Sequence, residues 1–182
     1  MPDVTASLEL QIEVASWRRV PHLRATLQKA AQVTAAHLPP RLRIPFTATV
    51  LLTGNAKARR LNHDFRGIDK PTNVLSFPQF PPAELPKSGQ YKGIAEMGDI
   101  ALAYQYVVNE ARKDDKILIN HVTHLVIHGL LHLFGYNHLH DDEAEGMEKL
   151  EIKIMKALGL PDPYAPRPYA PRSCGPKRPK GK

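Results

Sequence analysis

The chain has 182 residues, 42% hydrophobic and 24% charged, which excludes a fibrous or wholly disordered protein and fits one folded domain with a core. Its formal net charge is +7, and no apolar run approaches the roughly 18–20 residues of a helical membrane span. The single cysteine, Cys174, allows no intramolecular disulfide and fits a reducing, cytoplasmic setting, and the N-terminal stretch, with Asp3 and Glu9, does not read as a secretion signal.

Residues 8–14 alternate apolar and polar, the period of a half-buried strand. Pro21 can open a helix, with Leu23, Leu27, Ala30, Ala31 and Val33 on its apolar face to about His37, before Pro39-Pro40 ends it. Residues 46–53 are β-branched and apolar, a second strand; Gly54-Asn55 then turns into a short helix containing Ala58, Leu61 and Phe65. A third strand is predicted over 73–77, stopped by Pro78. The proline- and glycine-rich stretch 78–93 reads as a loop long enough for a lid or a binding role. A fourth strand over 98–103 leads into a helix around 104–112. A helix from about 117 to 134 stops at Gly135, and a last one over 142–158 carries Met147, Leu150, Ile154 and Leu158 on one face.

From Pro161 onward the chain has seven prolines and six basic residues against one acid, so most of the basic excess lies there. Residues 161–182 are therefore predicted to be a disordered basic tail, either solubilising or drawing a polyanion such as RNA by counterion release. Residues 1–160 form the domain. Its fold class is α+β, with about four strands in one mixed sheet and helices packed on it.

Four histidines fall at 121, 124, 128 and 132, along one face of the 117–134 helix. His128 and His132 are one turn apart, about 6 Å of rise, so both rings can converge on a point beside the helix. His124 lies about 12 Å of rise from His132, too far for one straight helix to bring all three onto an ion with bonds of about 2.0–2.1 Å. Gly135 reverses the chain, and His138 follows three residues later and can fold back as the third ligand. Three imidazoles with no fourth protein ligand describe a catalytic rather than a structural site, with an open position for water whose pKa the metal lowers to around 7. Zinc, one per chain, is the first choice for such a site at the end of a central helix. His124 is expected to pack beside the ligands or orient one of them. His121, His140, His22, His37 and His63 are expected to be solvated or locally hydrogen-bonded.

The spacing H-x3-H-x2-G-x2-H is that of a metalloprotease motif, but Gly129 stands where those enzymes carry a glutamate base. A phosphodiester is the better target, provided that a group such as an arginine neutralises charge on the phosphate oxygens.

HLVIHGLLHLFGYNH at 124–138 resembles the signature of the YbeY family of bacterial endoribonucleases and rRNA maturation factors. LNHDFRGIDKPTNVLSFP at 61–78, GDI at 98–100 and DDEAEGME at 141–148 resemble further blocks of that family, over about residues 45–158. The resemblance implies a zincin-like fold, zinc on His128, His132 and His138, and cleavage of single-stranded RNA. It also implies a part in 16S rRNA 3′-end maturation and small-subunit quality control, with small-subunit ribosomal proteins and assembly GTPases as partners. Arg66 matches the family's arginine near the scissile phosphate, against which stands a salt bridge closing a helix end. Asp99 matches its acidic residue, which either orients a ligand histidine or caps a strand. Two positions depart from the pattern: Asn73 and Asn137 stand where the family usually has aspartate. The alternative functions are a non-catalytic ribosome-assembly factor with a structural zinc and, less favoured by Gly129, a metallopeptidase.

Overall fold

In a computed structural model of the chain, residues 4–138 and 141–165 are described. Four strands, β1 (Ala6–Ile12), β2 (Phe46–Thr53), β3 (Val74–Pro78) and β4 (Ala95–Ala103), form one sheet in the order β1-β2-β4-β3. β1, β2 and β4 run parallel, and β3 lies antiparallel on the edge beside β4. The helices are α1 (Leu23–His37), α2 (Asn55–Arg66), α3 (Tyr104–Lys113), α4 (Leu118–Leu133) and α5 (Asp141–Ala157). This is the α+β architecture that the sequence predicts.

The sheet is mixed because of its connections. α1 carries the crossover between the parallel strands β1 and β2, and α2 with β3 lies between the parallel β2 and β4, whereas β3 reaches β4 through the 79–94 loop and returns antiparallel. Along β2, Phe46, Ala48, Val50 and Leu52 alternate onto the buried face. α4 packs against that face and is buried on most sides, so its interior positions are apolar nearly all round. At Gly129 the helix comes close to the sheet: a Cβ there would lie 2.9 Å from Cγ2 of Ile100 on β4. α5 lies against α1 and α4 and completes the layer through Met147, Ile154 and Met155.

Strand β4 starts at Ala95, earlier than the sequence predicts, because Ala95 and Glu96 continue the ladder with Phe46 and Thr47 across a register shift. Gly98 accommodates the irregularity at φ +120°, and a Cβ there would sit 2.2 Å from the carbonyl oxygen of Phe77. Only glycine lets β3 pair so closely at that point.

The predicted tail begins too early. Residues 161–165 pack back onto the domain: the ammonium of Lys116 donates to the carbonyl of Pro163 at 3.2 Å, and the hydroxyl of Tyr164 donates to Glu151. The proline count concealed one aromatic residue with a buried partner. Residues 166–182, and with them Cys174 and most of the predicted tail, lie outside the described residues, as does His140.

Candidate metal centre

The last two turns of α4 and the loop after it build the centre. Gly135 adopts φ +80°, and the amides of Gly135 and Tyr136 return to the carbonyls of His132 and Leu131, each at 3.0 Å. This left-handed termination reverses the chain. The reversal brings the Tyr136 carbonyl over His132, whose Nδ1–H donates to it at 2.9 Å. It also returns His138, whose amide donates to the Oδ1 of Asn137 at 3.2 Å. Asn137 thus acts as a local turn acceptor, a role that needs an oxygen but no charge.

The structure brings His128, His132 and His138 together, with ligand nitrogens all within 4.8 Å of one another. The outer nitrogens of the first two rings are engaged. His128 Nδ1 donates to Glu151 Oε1 at 2.8 Å, and His132 Nδ1 donates to a carbonyl that can only accept. Both rings therefore present an Nε2 lone pair to the centre, and these two atoms face each other at 3.0 Å. Two lone pairs at that distance repel unless a cation lies between them. The three residues consequently fit a divalent metal ion by donor type, tautomer and convergence.

Burial is the largest influence on His132, and with the neighbouring His128 it lowers the ring's pKa from 6.5 to about 4 against the opposing Tyr136 carbonyl. The ring is thus neutral, as a ligand must be, well below pH 7.

Glu151 is the residue that the sequence did not reveal as functional. It is fully buried on α5, and its other oxygen, Oε2, accepts from His124 Nε2 at 2.6 Å and from the Tyr164 hydroxyl. Burial alone would raise its pKa, but hydrogen bonds from His124 and His128 outweigh it and hold the carboxyl at about 2. Its own burial and then the same carboxylate push the Tyr164 phenol upward. His124 therefore does not enter the centre itself; it is joined to His128 through Glu151. The signal was present in the sequence: Glu151 lies one turn from both Met147 and Ile154, an acid on the apolar face of its helix.

Asp99 was expected either to orient a ligand histidine or to cap a strand. It is exposed on β4, opposite Phe77, and the carboxylate that meets the rings is Glu151. His121 was expected to be solvated or locally bonded. It is instead buried, with Nε2 3.1 Å from Glu110 on α3. His37 and His63 do bond locally, to the Val33 carbonyl and to Asp64.

Asn73 finds a physical explanation here. Its amide nitrogen donates to both oxygens of Glu110, at 3.0 and 3.3 Å, while its Oδ1 accepts from the Val74 amide at 2.7 Å. An aspartate at 73 would confront Glu110 with a second carboxylate. Burial tends to raise the Glu110 pKa, yet hydrogen bonds from His121 and Asn73 bring it below its ordinary value.

The histidines open onto a groove of about 770 Å³ between α2, β3 and the 135–138 turn, and Arg66 lines it. Arg66 ends α2 and is exposed, and among the described residues it forms no ion pair; the salt bridge near that helix end joins Arg59 to Asp69. Pro82 of the 79–94 loop also lines the groove, and Leu85 packs on Gly135, so this loop walls the site on one side. No acidic side chain lines the groove among the described residues.

The sequence profile of the family described as Endoribonuclease YbeY matches residues 11–159. The chain belongs to this family. It is 44% identical over 159 residues to the Endoribonuclease YbeY of Bradyrhizobium diazoefficiens, covering 87% of this chain and 85% of that one. With the Endoribonuclease YbeY of Allorhizobium ampelinum it shares 42% over 162 residues, covering 87% and 94% of the two chains. The solution structure of TM1509 from Thermotoga maritima is similar in fold, with a TM-score of 0.50 at 21% identity over 87% of this chain and 99% of that one. The YbeY match contains the three converging histidines, Arg66 and Glu151, but ends before Tyr164.

Proposed function

We propose that this YbeY-family chain is a zinc-dependent endoribonuclease that hydrolyses single-stranded RNA in 16S rRNA 3′-end maturation and small-subunit quality control. One observation carries the reading: two Nε2 lone pairs held 3.0 Å apart, beside a third imidazole, at the floor of a groove that Arg66 shares. A metal held by His128, His132 and His138 would supply Lewis acidity for attack on a phosphodiester.

The protein's own groups do the rest. Glu151 and the Tyr136 carbonyl fix the tautomer and aim of two ligand rings, His128 and His132, before an ion or substrate arrives. The planar Arg66 guanidinium can fork onto phosphate oxygens, offsetting the charge that builds there during cleavage. The absence of carboxylates from the described groove lining removes repulsion against a polyanion.

A peptidase is disfavoured by packing as well as by sequence. Its base would stand at position 129, where the Ile100 side chain occupies the space of a Cβ. The proposed setting is the cytoplasm, with small-subunit ribosomal proteins and assembly GTPases as partners. No helix among the described residues is long and apolar enough to cross a membrane.

Metal analysis and a gel assay with single-stranded RNA and casein test the proposal. Roughly one zinc per chain is expected, with RNA cleaved, casein intact, and both metal and cleavage lost in His128→Ala. Tight rRNA binding without cleavage would replace the enzyme with an assembly factor.

A further inference from the structure

We propose that Phe65 is a stacking subsite for an unpaired nucleobase adjoining the scissile phosphate. The inference rests on the endoribonuclease reading and extends it to the question of which strands the groove accepts.

Phe65 is 68% exposed, the most exposed large hydrophobic side chain among the described residues. Such exposure disfavours a purely structural role, since the ring contributes little to the core. The ring is nevertheless held in place. Phe77 on β3 packs against it with centroids 4.8 Å apart and planes at 61°, an edge contact that leaves most of the Phe65 ring open. At the end of α2, Gly67 terminates the helix at φ +70°, with its amide bonded to the carbonyl of His63 at 2.9 Å. A braced aromatic ring on a capped helix end loses little freedom when something stacks on it.

Its surroundings select the occupant. Phe65 lines the same groove as His128, His132 and His138, and the next residue, Arg66, lines it too. A cationic fork and an open aromatic ring thus adjoin along one wall. A nucleotide carries the matching pair, a phosphate and a flat base joined through one ribose. The groove's described lining is free of carboxylates, which suits a polyanion. In a duplex the base faces are already stacked, so a platform of this kind favours strands whose bases can be splayed out. Phe65 is thereby a determinant of single-strand selectivity.

Steady-state cleavage of a short single-stranded RNA by the metal-loaded full chain tests this, comparing wild type, Phe65→Ala and Phe65→Trp. The substrate is used intact and with a single abasic site stepped along it. Phe65→Ala is expected to lower kcat/KM on intact RNA by about fivefold to a hundredfold, mainly through KM. Phe65→Trp should retain activity. At one abasic position, the penalty of Phe65→Ala should vanish, because ring and base are then both missing. Zinc content and melting temperature should match wild type.

Equal kcat/KM for wild type and Phe65→Ala would overturn the subsite while leaving the nuclease standing. So would a penalty that persists at every abasic position. A wild-type chain that sediments as a dimer, with Phe65→Ala monomeric, would reassign the ring to self-association. No RNA cleavage by wild type would remove the endoribonuclease reading itself, and the subsite with it.

Discussion

The Nδ1–H of His128 meets Oε1 of Glu151 at 2.8 Å across the contact between α4 and α5. The same carboxylate accepts from His124, one turn earlier on α4, so a single buried acid ties a ring of the centre to a second histidine and to the helix behind them. The centre thus depends on how α5 docks, although α5 supplies none of the three converging rings.

Glu151→Gln should weaken zinc binding about 10- to 100-fold, the usual cost of losing a carboxylate behind a ligand histidine. Competition with a chromophoric chelator measures it. Unchanged zinc affinity would show that His128 is positioned by α4 alone.

The C-terminal strap makes a second contribution to that carboxylate. Tyr164→Phe removes one hydrogen bond and should cost about 1 kcal/mol of stability, read by denaturant unfolding. Truncation after Ala165 should be neutral, whereas truncation before Pro161 should cost at least as much as Tyr164→Phe. Equal stability for both truncations would remove the strap from the fold.

Asn73→Asp tests the pairing with Glu110. It replaces a donor by a second carboxylate and should destabilise the protein by about 1–3 kcal/mol near pH 7. Adding Glu110→Gln should recover part of the loss, because the double variant regains a donor between positions 73 and 110. Additive losses would mean that the two side chains do not interact.

His132 sets a pH dependence in metal-free protein. Its folded pKa of about 4 lies below the ordinary 6.5, so between those values the unfolded chain binds more protons than the native one. The stability associated with this ring is complete above about pH 6.5 and is lost as pH falls toward 4. Melting temperature against pH should fall over that window in wild type and less steeply in His132→Gln. Identical slopes would contradict the buried, neutral ring.

Arg66→Glu should abolish RNA cleavage while leaving zinc content and melting temperature unchanged, since the side chain is exposed and forms no ion pair among the described residues. A variant that fails to fold would instead return Arg66 to a structural role at the end of α2.

Much of this was legible in the sequence because the signals are local. Strand period, helix length and the Gly135 break follow from neighbouring residues, and they give the four strands and five helices nearly at their observed bounds. The convergence of His128, His132 and His138 is likewise a matter of one helix turn and one reversal. What escaped depends on partners distant in sequence. Glu151 matters because α5 packs on α4, Tyr164 because Glu151 lies beneath it, and His121 because α3 brings Glu110 alongside. Asp99 lies in a block that resembles the family pattern, but an acid there carries no sign of which way its strand faces, and its side chain is exposed.

The most direct measurement is an anomalous-difference map at the zinc edge from crystals of the full chain. A single peak within about 2.0–2.1 Å of Nε2 of both His128 and His132, and bonded to a ring nitrogen of His138, is the predicted result. A map with no peak between the three rings, from protein that still cleaves single-stranded RNA, would contradict it.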